Sequence, residues 1–338
     1  MSLIAGSYEK FIWGFRVRPE PETQSLSLAQ IFSYPSHVAS ITAAAASGPV
    51  GASGSSDDTI HLYDLVTASS LGQLHHTSSI TALSFFTPPS ISFPQNLVSA
   101  DTAGSVSIFD SNPFVHLKSV CVHKKAINDL SLHPSGRLAL TVGRDECLAM
   151  VNLVRGRRSF CCRLGKEANL VRFDHDGNRF FLVSDENVGV HLAEDARLVS
   201  EFSCPKRVLA AAPGESGLLF TGGEDRGITA WDTGSGKVAL HLENAHNSRV
   251  KGLVVLTRNG NSGAAEDPYL FASAASDGVI RVWDFRMATM AEQPNPLAEA
   301  ATKSRITCLA GSSFRSVKGL QLAKPRALEH QNLSAEES

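Results

Sequence analysis

The sequence predicts an all-β fold, a seven-bladed β-propeller in which one blade is completed by both chain ends. Three observations support this: short β-rich segments recur, polar residues stand at fixed offsets within each copy, and strand-like segments remain at both ends. The recurring segments end at a large residue, usually followed by Asp or Asn, at intervals close to the roughly 40 to 45 residues of a four-stranded blade. These end residues are Tyr63, Phe109, Val151, His191, Trp231 and Trp283.

The fixed offsets concern three kinds of polar residue. An Asp lies six residues before the end residue in every copy except one, where Ala103 stands, and a Ser or Thr usually lies four residues before that Asp. Farther upstream, a His precedes an apolar residue by four positions in four copies. The residues are His37, His76, His123 and His246; Ser53, Thr141, Thr221 and Ser273; and Asp57, Asp145, Asp185, Asp225 and Asp277.

These offsets resemble the WD40 repeat, in which a His, a Ser or Thr, an Asp and a Trp form a hydrogen-bonded network within one blade. A buried Asp needs donors, which an imidazole and a hydroxyl supply, and an indole NH completes the chain. Because the pattern repeats, we interpret these residues as structural rather than catalytic. One set is complete, His246, Ser273, Asp277 and Trp283; a near-complete set, His37, Ser53, Asp57 and Tyr63, has Tyr in place of Trp.

Six copies leave both ends of the chain unexplained. Leu3–Tyr8 and Phe11–Phe15 have the pattern of two middle strands, Ser25–Tyr34 can supply an outer strand, and Ser304–Leu309 has the pattern of an inner strand without successors. The two ends therefore complete one blade together, which leaves no open edge in the ring. We expect a propeller over residues 1–312 and a C-terminal tail, partly disordered, over residues 313–338.

Charge is distributed unevenly along the chain. Charged residues are 19% of the sequence and the net charge is −2, yet no Lys or Arg lies between Arg18 and Lys118. From Lys118 to Lys166, ten basic residues face three acidic ones. We interpret this basic sector as a candidate partner surface. The candidate residues are Arg144, Arg155, Arg157, Arg158, Arg163 and Lys166.

Other motifs give little support for enzyme chemistry. Gly234–Lys237 resembles the end of a phosphate loop but lacks the upstream glycine, and Asp174–Asn178 lacks the closing glutamate of a calcium loop. Six cysteines without CxxC spacing are typical of reduced, buried thiols in an intracellular protein. Apolar runs are too short for a membrane span. We therefore expect no enzyme, cofactor, metal or membrane partner, and a monomer within a larger complex.

Specific stretches resemble one family, the PAK-interacting protein family of WD-repeat ribosome-biogenesis factors. The resemblance covers most of residues 1–310 and is most specific at His133–Gly143. Its segments are Ile4–Glu9 with Gly14–Phe15, Asp58–Asp64, His133–Gly143 followed by Asn152–Arg157, Ala245–Lys251 with Ser273–Gly278, and Arg305–Leu309.

The resemblance implies a non-catalytic scaffold in maturation of the large (60S) ribosomal subunit and in rRNA processing, located in the nucleolus and nucleus. Its partners would be pre-60S assembly factors and pre-rRNA. In animals the resemblance also implies a negative regulator of a p21-activated kinase. The family's long Lys-rich C-terminal extension has no counterpart in residues 311–338. We therefore hypothesise that the basic sector substitutes for it and contacts pre-ribosomal RNA phosphates or an acidic assembly factor through charge, without base readout.

A second function remains open from the sequence. Trp283, Asp284 and Arg286 resemble the WDxR box through which some propellers dock on the adaptor of cullin-RING ubiquitin ligases, where the guanidinium of Arg286 would be needed. The alternative function is therefore a substrate receptor of such a ligase. The box overlaps the ordinary end of a blade.

Overall fold

A computed structural model describes residues 1–19, 26–214, 217–256, 270–287 and 295–312. Over these residues the chain forms 28 β-strands in seven four-stranded sheets. This confirms the predicted all-β fold and the number of blades. The predicted tail, residues 313–338, lies outside the described residues.

Each blade is an antiparallel sheet whose innermost strand comes first below. Blade 1 is β28 (Ile306–Ser312), β1 (Ser2–Ser7), β2 (Phe11–Pro19) and β3 (Leu26–Pro35); blade 2 is β4 (Ile41–Ser47), β5 (Val50–Ser55), β6 (Thr59–Asp64) and β7 (Ser69–His75); blade 3 is β8 (Ile80–Phe86), β9 (Asn96–Asp101), β10 (Ser105–Ser111) and β11 (Phe114–Cys121).

The remaining blades follow in chain order. Blade 4 is β12 (Ile127–Leu132), β13 (Leu138–Gly143), β14 (Cys147–Asn152) and β15 (Arg157–Arg163); blade 5 is β16 (Leu170–Phe173), β17 (Arg179–Ser184), β18 (Asn187–Leu192) and β19 (Leu198–Ser203); blade 6 is β20 (Val208–Pro213), β21 (Leu218–Gly223), β22 (Ile228–Asp232) and β23 (Lys237–Leu242); blade 7 is β24 (Val250–Leu256), β25 (Leu270–Ala275), β26 (Val279–Asp284) and β27 (Ala298–Ala301). A 3-10 turn, Phe285–Met287, follows β26.

Two faces of the ring follow from the antiparallel order of strands. The loops that lead into the innermost strands and those that join second to third strands lie on one side, here called the upper face. The other loops lie on the opposite side, the lower face. A side chain can therefore be placed on a face from its loop alone.

Burial falls from the inside of each blade to the outside. In blade 2, every residue of the second strand β5 is buried, whereas the outer strand β7 is almost entirely exposed. Seven apolar clusters form the core, one between each pair of neighbouring blades. Between blades 2 and 3, for example, Ile60 and Leu62 pack with Ile80 and Leu97. Full burial of each such side chain contributes about 1.5–3 kcal/mol.

Small residues allow neighbouring blades to approach closely. A Cβ atom on Gly54 of β5 would lie 2.5 Å from Cγ2 of Ile80, the first residue of the next blade. A Cβ on Gly6 of β1 would lie 2.4 Å from Cγ2 of Ile41 in the same relation. Glycine is therefore required at both positions by the contact between blades, since overpacking of a filled core destabilises it.

The two ends of the chain close the ring in blade 1. Leu3 pairs with Gly311 and Ala5 with Leu309 in an antiparallel ladder between β1 and β28, with an irregularity at Gly6/Ser7. The hydroxyl of Thr307 lies within hydrogen-bond distance of the carbonyls of Gly6 (3.0 Å) and Ile41 (2.6 Å) and shares its one proton between them, which ties β28 to both β1 and blade 2. The predicted completion of one blade by both ends is confirmed.

Removing the closing strand should open the ring. We expect a chain ending at residue 305 to lose more than about 5 kcal/mol, most of a typical domain's stability, because β1 keeps an unpaired edge and the cores beside blade 1 are exposed. Thermal unfolding and size-exclusion chromatography measure this loss. A chain ending at residue 312 is the matched control and should melt like the full chain. Equal melting of the two truncated chains would contradict the prediction.

Candidate functional site

The near-complete set of blade 2 forms one hydrogen-bonded chain. His37, in the loop after β3, places Nδ1 3.1 Å from Asp57 Oδ2 and Nε2 2.8 Å from Ser53 Oγ. The Tyr63 hydroxyl lies 2.8 Å from the same Ser53 oxygen. Side-chain hydrogen bonds thus join the loop before the blade to the second strand, and the second strand to the third.

The charge states within this chain follow from burial. Desolvation lowers the pKa of His37 to about 4, although Asp57 opposes the shift, so the imidazole is neutral at neutral pH. Burial would raise the pKa of Asp57, but hydrogen bonds from the Thr59 hydroxyl and the Val38 amide lower it to about 2. Burial also raises the pKa of Tyr63 to about 12. A neutral imidazole therefore bridges a carboxylate and a hydroxyl.

Blade 4 contains a shorter version of the network. His123 Nδ1 lies 2.8 Å from Asp145 Oδ1, and its Nε2 lies 2.9 Å from the Thr141 hydroxyl. The end residue of this blade is Val151, which has no side-chain donor, so the hydrogen-bonded network ends at Thr141. Hydrogen bonds to the Asp145 carboxylate, including one from the Lys124 amide at 3.0 Å, lower the pKa of Asp145 against the effect of its burial.

The set that the sequence marks as complete is only partly assembled. In blade 7, the Trp283 indole donates to Ser273 Oγ at 2.8 Å, and His246 Nε2 lies 2.7 Å from the same oxygen. Asp277 does not join them: it is exposed, its carboxylate accepts from the Val279 amide at 3.1 Å, and His246 Nδ1 is buried without a hydrogen-bond partner. The interpretation of a complete four-residue set is therefore wrong for Asp277.

Three members of these networks are absent from the sets identified in the sequence: Ser99, which lies 3.2 Å from His76 Nε2, Asp101 and Cys204. In blade 3, Asp101 is fully buried with Oδ2 3.5 Å from His76 Nδ1, an ion-pair distance without a hydrogen bond, although the expected position carries Ala103. In blade 6, the buried Cys204 occupies the place of the His, with Sγ 3.9 Å from Thr221 Oγ1. Cys204 lies four residues before Val208, so the histidine offset would have identified it.

The networks resemble a nucleophile, base and acid arrangement, but their geometry does not suit catalysis. Ser53, Thr141 and Ser273 have no exposed surface, so a substrate cannot reach these hydroxyls. Each hydroxyl is also already bonded to a histidine. These residues therefore stabilise blades.

The residues of the predicted basic sector lie on the turns and the outer strand of blade 4 and extend over both faces. Arg144 lies in an upper-face loop, Arg155 in a lower-face loop, and β15 carries Arg157, Arg158 and Arg163 between them along the outer edge of blade 4. Lys166 lies in the upper-face loop after β15.

Half of these side chains are already engaged. Arg158 donates to the Val122 carbonyl at 2.7 Å, Arg163 pairs with Glu146 at 3.5 Å, and Lys166 pairs with Glu201 at 3.6 Å. Within the described part of the chain, the exposed side chains of Arg144, Arg155 and Arg157 make no ion pair. These three are the members of the sector available to a partner.

The residues of the WDxR box, on which the alternative function depends, make their contacts within blade 7. Trp283 is 4% exposed and Asp284 is 8% exposed. Arg286 Nη2 lies 2.7 Å from Asp284 Oδ2, and the Arg286 amide donates to the same carboxylate at 2.9 Å. The guanidinium that ligase docking would need thus pairs with its neighbour.

The central channel encloses a cavity of about 540 Å³. All seven innermost strands line it, with Thr42, Asn128, Lys251 and Thr307 among their polar residues. Asp129 is bound inside the wall: the Val171 amide donates to its carboxylate at 2.9 Å, and Arg172 also donates to it.

The cysteines differ from the expectation of buried thiols. Cys121 and Cys161 are exposed, and only Cys204 of the six is buried. All six are free. Among the described residues, no group of three or more His, Cys, Asp or Glu side chains is placed to hold a metal ion. No helix in the same residues is long and apolar enough to cross a membrane.

The ring and its buried networks define a WD40 β-propeller. A profile of the family "WD domain, G-beta repeat" matches residues 114–150 and 240–284. The chain is 33% identical over 310 residues to a Xenopus laevis p21-activated protein kinase-interacting protein 1-like protein, covering 91% of this chain and 81% of the relative. The chain belongs to the p21-activated protein kinase-interacting protein 1 family.

Other relatives extend the match over the whole chain. The Homo sapiens p21-activated protein kinase-interacting protein 1 is 31% identical over 343 residues, covering 100% of this chain and 83% of the relative. The Shk1 kinase-binding protein 15 of Schizosaccharomyces pombe is 26% identical over 350 residues, covering 100% of this chain and 92% of the relative.

The buried histidines should make stability depend on pH. Burial lowers the pKa of both His37 and His246 from 6.5 to about 4, so the unfolded chain binds more protons as pH falls between these values. Stability should therefore fall from pH 6.5 to pH 4, with each histidine contributing on the order of 3 kcal/mol at about 1.4 kcal/mol per pKa unit. Urea unfolding at several pH values measures this slope.

Two histidine variants test whether burial of His37 causes this pH dependence. His37→Gln should flatten the dependence of unfolding free energy on pH, whereas His175→Gln, at an exposed position, should leave the slope unchanged. Equal slopes in His37→Gln and the parent chain would show that His37 is not held neutral by burial.

Ser273 should be essential to blade 7. In Ser273→Ala, the Trp283 indole and His246 Nε2 lose their shared partner, and each buried group left unpaired costs about 1–3 kcal/mol. Chemical denaturation measures the difference. Ser203→Ala, which removes an exposed bond to Asn187, is the control and should change stability by less than about 0.5 kcal/mol. Similar losses in both variants would contradict the role of Ser273.

Proposed function

We propose that this chain is a non-catalytic WD40 scaffold that acts in nucleolar maturation and rRNA processing of the large ribosomal subunit and also binds a p21-activated kinase as a negative regulator. The observation that carries the kinase half is the match to the human kinase-interacting protein, which covers the whole ring including the strands that close it. The fission yeast relative is also named for kinase binding.

The ribosomal half is supported by the sequence resemblance at His133–Gly143 and Asn152–Arg157. In the structure these segments are the loop and second strand of blade 4 and the lower-face turn that leads into β15. They surround the exposed Arg155 and Arg157. The stretch that most resembles ribosome-biogenesis factors therefore lies beside the available part of the basic sector.

The chemistry of this surface suits a phosphate backbone. Arg155 and Arg157 make no ion pair among the described residues, and arginine binds phosphate through paired N–H donors. Gly156 between them packs on Lys118 of the neighbouring blade, since a Cβ there would lie 2.5 Å from Lys118 Cδ. Three cations thus meet at the lower outer edge of blades 3 and 4. Contact there would be made through charge and would not select base sequence.

Charge reversal at this edge tests the ribosomal half. In R155E/R157E, co-sedimentation with large-subunit precursors should fall severalfold, because contacts to phosphate are replaced by repulsion. Arg158 is left unchanged because its bond to Val122 holds the blade together. The control R197E/K237E makes the same change of charge on exposed residues of blades 5 and 6. Unchanged co-sedimentation of R155E/R157E would overturn the contact.

The same purifications test the kinase half. Tagged parent chain should bring down both large-subunit precursors and a p21-activated kinase when co-purifying proteins and RNA are identified. Recovery of the kinase without precursors would reject the ribosomal role, and the reverse result would reject the kinase role.

A further inference from the structure

Three arginines stand at equivalent positions in three consecutive blades. Arg207, Arg249 and Arg305 each immediately precede the first residue of an innermost strand, in blades 6, 7 and 1. In the other four blades this position carries an uncharged residue. Those residues are Ser40, Ser79, Ala126 and Asn169. Since this position lies at the upper mouth of the central channel, the cations form an arc around half of that mouth.

A fourth cation lies just inside the arc. Lys251, the second residue of β24, is half-buried and lines the channel. Burial lowers its pKa, and the charges of Arg249, Arg305 and Arg207 lower it further. Lys251 is therefore within electrostatic range of all three arginines, and Glu224 only partly offsets their effect.

Few acidic side chains neutralise this group. Arg207 pairs with Asp185, with Nε 3.2 Å from Oδ1. Arg249 Nε donates only a long bond of 3.4 Å to the Ser276 hydroxyl. Arg305 lies over the ring of Tyr8 at 5.5 Å from the centroid. Within the described residues, Arg249, Lys251 and Arg305 form no ion pair, so their charge is available to a ligand.

The aromatic contact adds a second feature of binding surfaces. Tyr8 is 59% exposed, on the upper-face loop between β1 and β2, and it orients Arg305 through a cation–π contact. Tyrosine and arginine are enriched at the residues that dominate binding energy in protein interfaces. The arc is thus a pre-oriented cationic surface beside a concave opening.

The acidic side chains near the arc favour a short acidic peptide over a nucleic-acid backbone as the anionic ligand. Glu9, Glu224 and Asp277 are exposed in the loops between second and third strands of the same three blades, and the Glu9 carboxylate accepts a hydrogen bond from the Arg305 amide at 2.8 Å. A nucleic-acid backbone carries charge along its whole length and would cross this acidic border wherever it left the mouth. A short peptide segment with its carboxylates grouped together can contact the cations over a few residues without running along these acidic loops.

We propose that the upper mouth of the channel over blades 6, 7 and 1 binds a short acidic segment of a partner protein, whose carboxylates contact Arg249, Lys251 and Arg305. This surface is separate from the lower edge of blade 4. The proposal holds whether the partner is a kinase, an assembly factor or another protein.

Fluorescence anisotropy with the full chain and a labelled hexaglutamate peptide tests the site. We expect binding that weakens as salt rises, and at least about tenfold weaker binding by R249E/R305E. Hexaglutamine should not bind. The variant R197E/K237E carries the same change of charge elsewhere on the ring and should bind hexaglutamate within about twofold of the parent chain.

Folding and the identity of the ligand are checked in the same experiment. Thermal unfolding must match the parent chain, and R249Q/R305Q provides a milder change that should weaken binding in the same direction. Equal weakening by both charge-reversal pairs would show unspecific attraction and overturn the proposal. Tighter binding of single-stranded oligouridylate through the same arginines would assign the mouth to RNA and also overturn it. Neither result bears on co-sedimentation with ribosomal precursors.

Discussion

Six residue pairs between β1 and β28 join the two ends of the described chain, and the other interfaces of the ring depend on that junction. Each blade packs on two neighbours, so an open ring would leave two faces of apolar side chains in water. Leu3 of β1 belongs to the cluster shared with blade 7, and Ile4, the next residue, belongs to the cluster shared with blade 2. Because successive side chains of a strand point to opposite faces, β1 alone supplies side chains to both of these cores. Thr307 then fixes the junction to the next blade through the hydroxyl proton that it shares between the carbonyls of Gly6 and Ile41.

Within blades, the buried polar networks complement the apolar packing between them. A histidine from the preceding loop reaches the second strand through a Ser or Thr, so that the loop between blades is bound to the blade that follows. Where the members are all present, as in blade 2, every polar atom of the histidine ring has a partner. Where Asp is displaced, as in blade 7, a buried nitrogen of His246 is left without one. Burial without a partner costs free energy, so the loop before blade 7 is held less firmly by its histidine than the loop before blade 2.

Much of this fold could be predicted from the sequence because the same strand pattern and the same polar residues recur at nearly constant spacing. Repetition identified the strands, the closing blade and the histidines, but it did not determine side-chain direction. Asp101 reaches His76 from the end of β9, two residues before the expected place, whereas Asp277 at the expected place points to solvent. The basic sector extends over both faces because neighbours in sequence along β15 span the blade from one face to the other. Conversely, Arg207, Arg249 and Arg305 come from three different blades, and no local run of charge reveals that they share one rim.

Closure by the last strand also sets the order of events during synthesis. The innermost strand of blade 1 follows the other 27 described strands in the chain, so β1 emerges first and its partner emerges last. At translation rates of about 5–20 residues per second, β1 waits on the order of tens of seconds with one edge unpaired. An unpaired edge is a template for strands of other chains. The period before residue 312 leaves the ribosome is therefore when the nascent chain is most exposed to misassembly and when a chaperone covering β1 would have its effect.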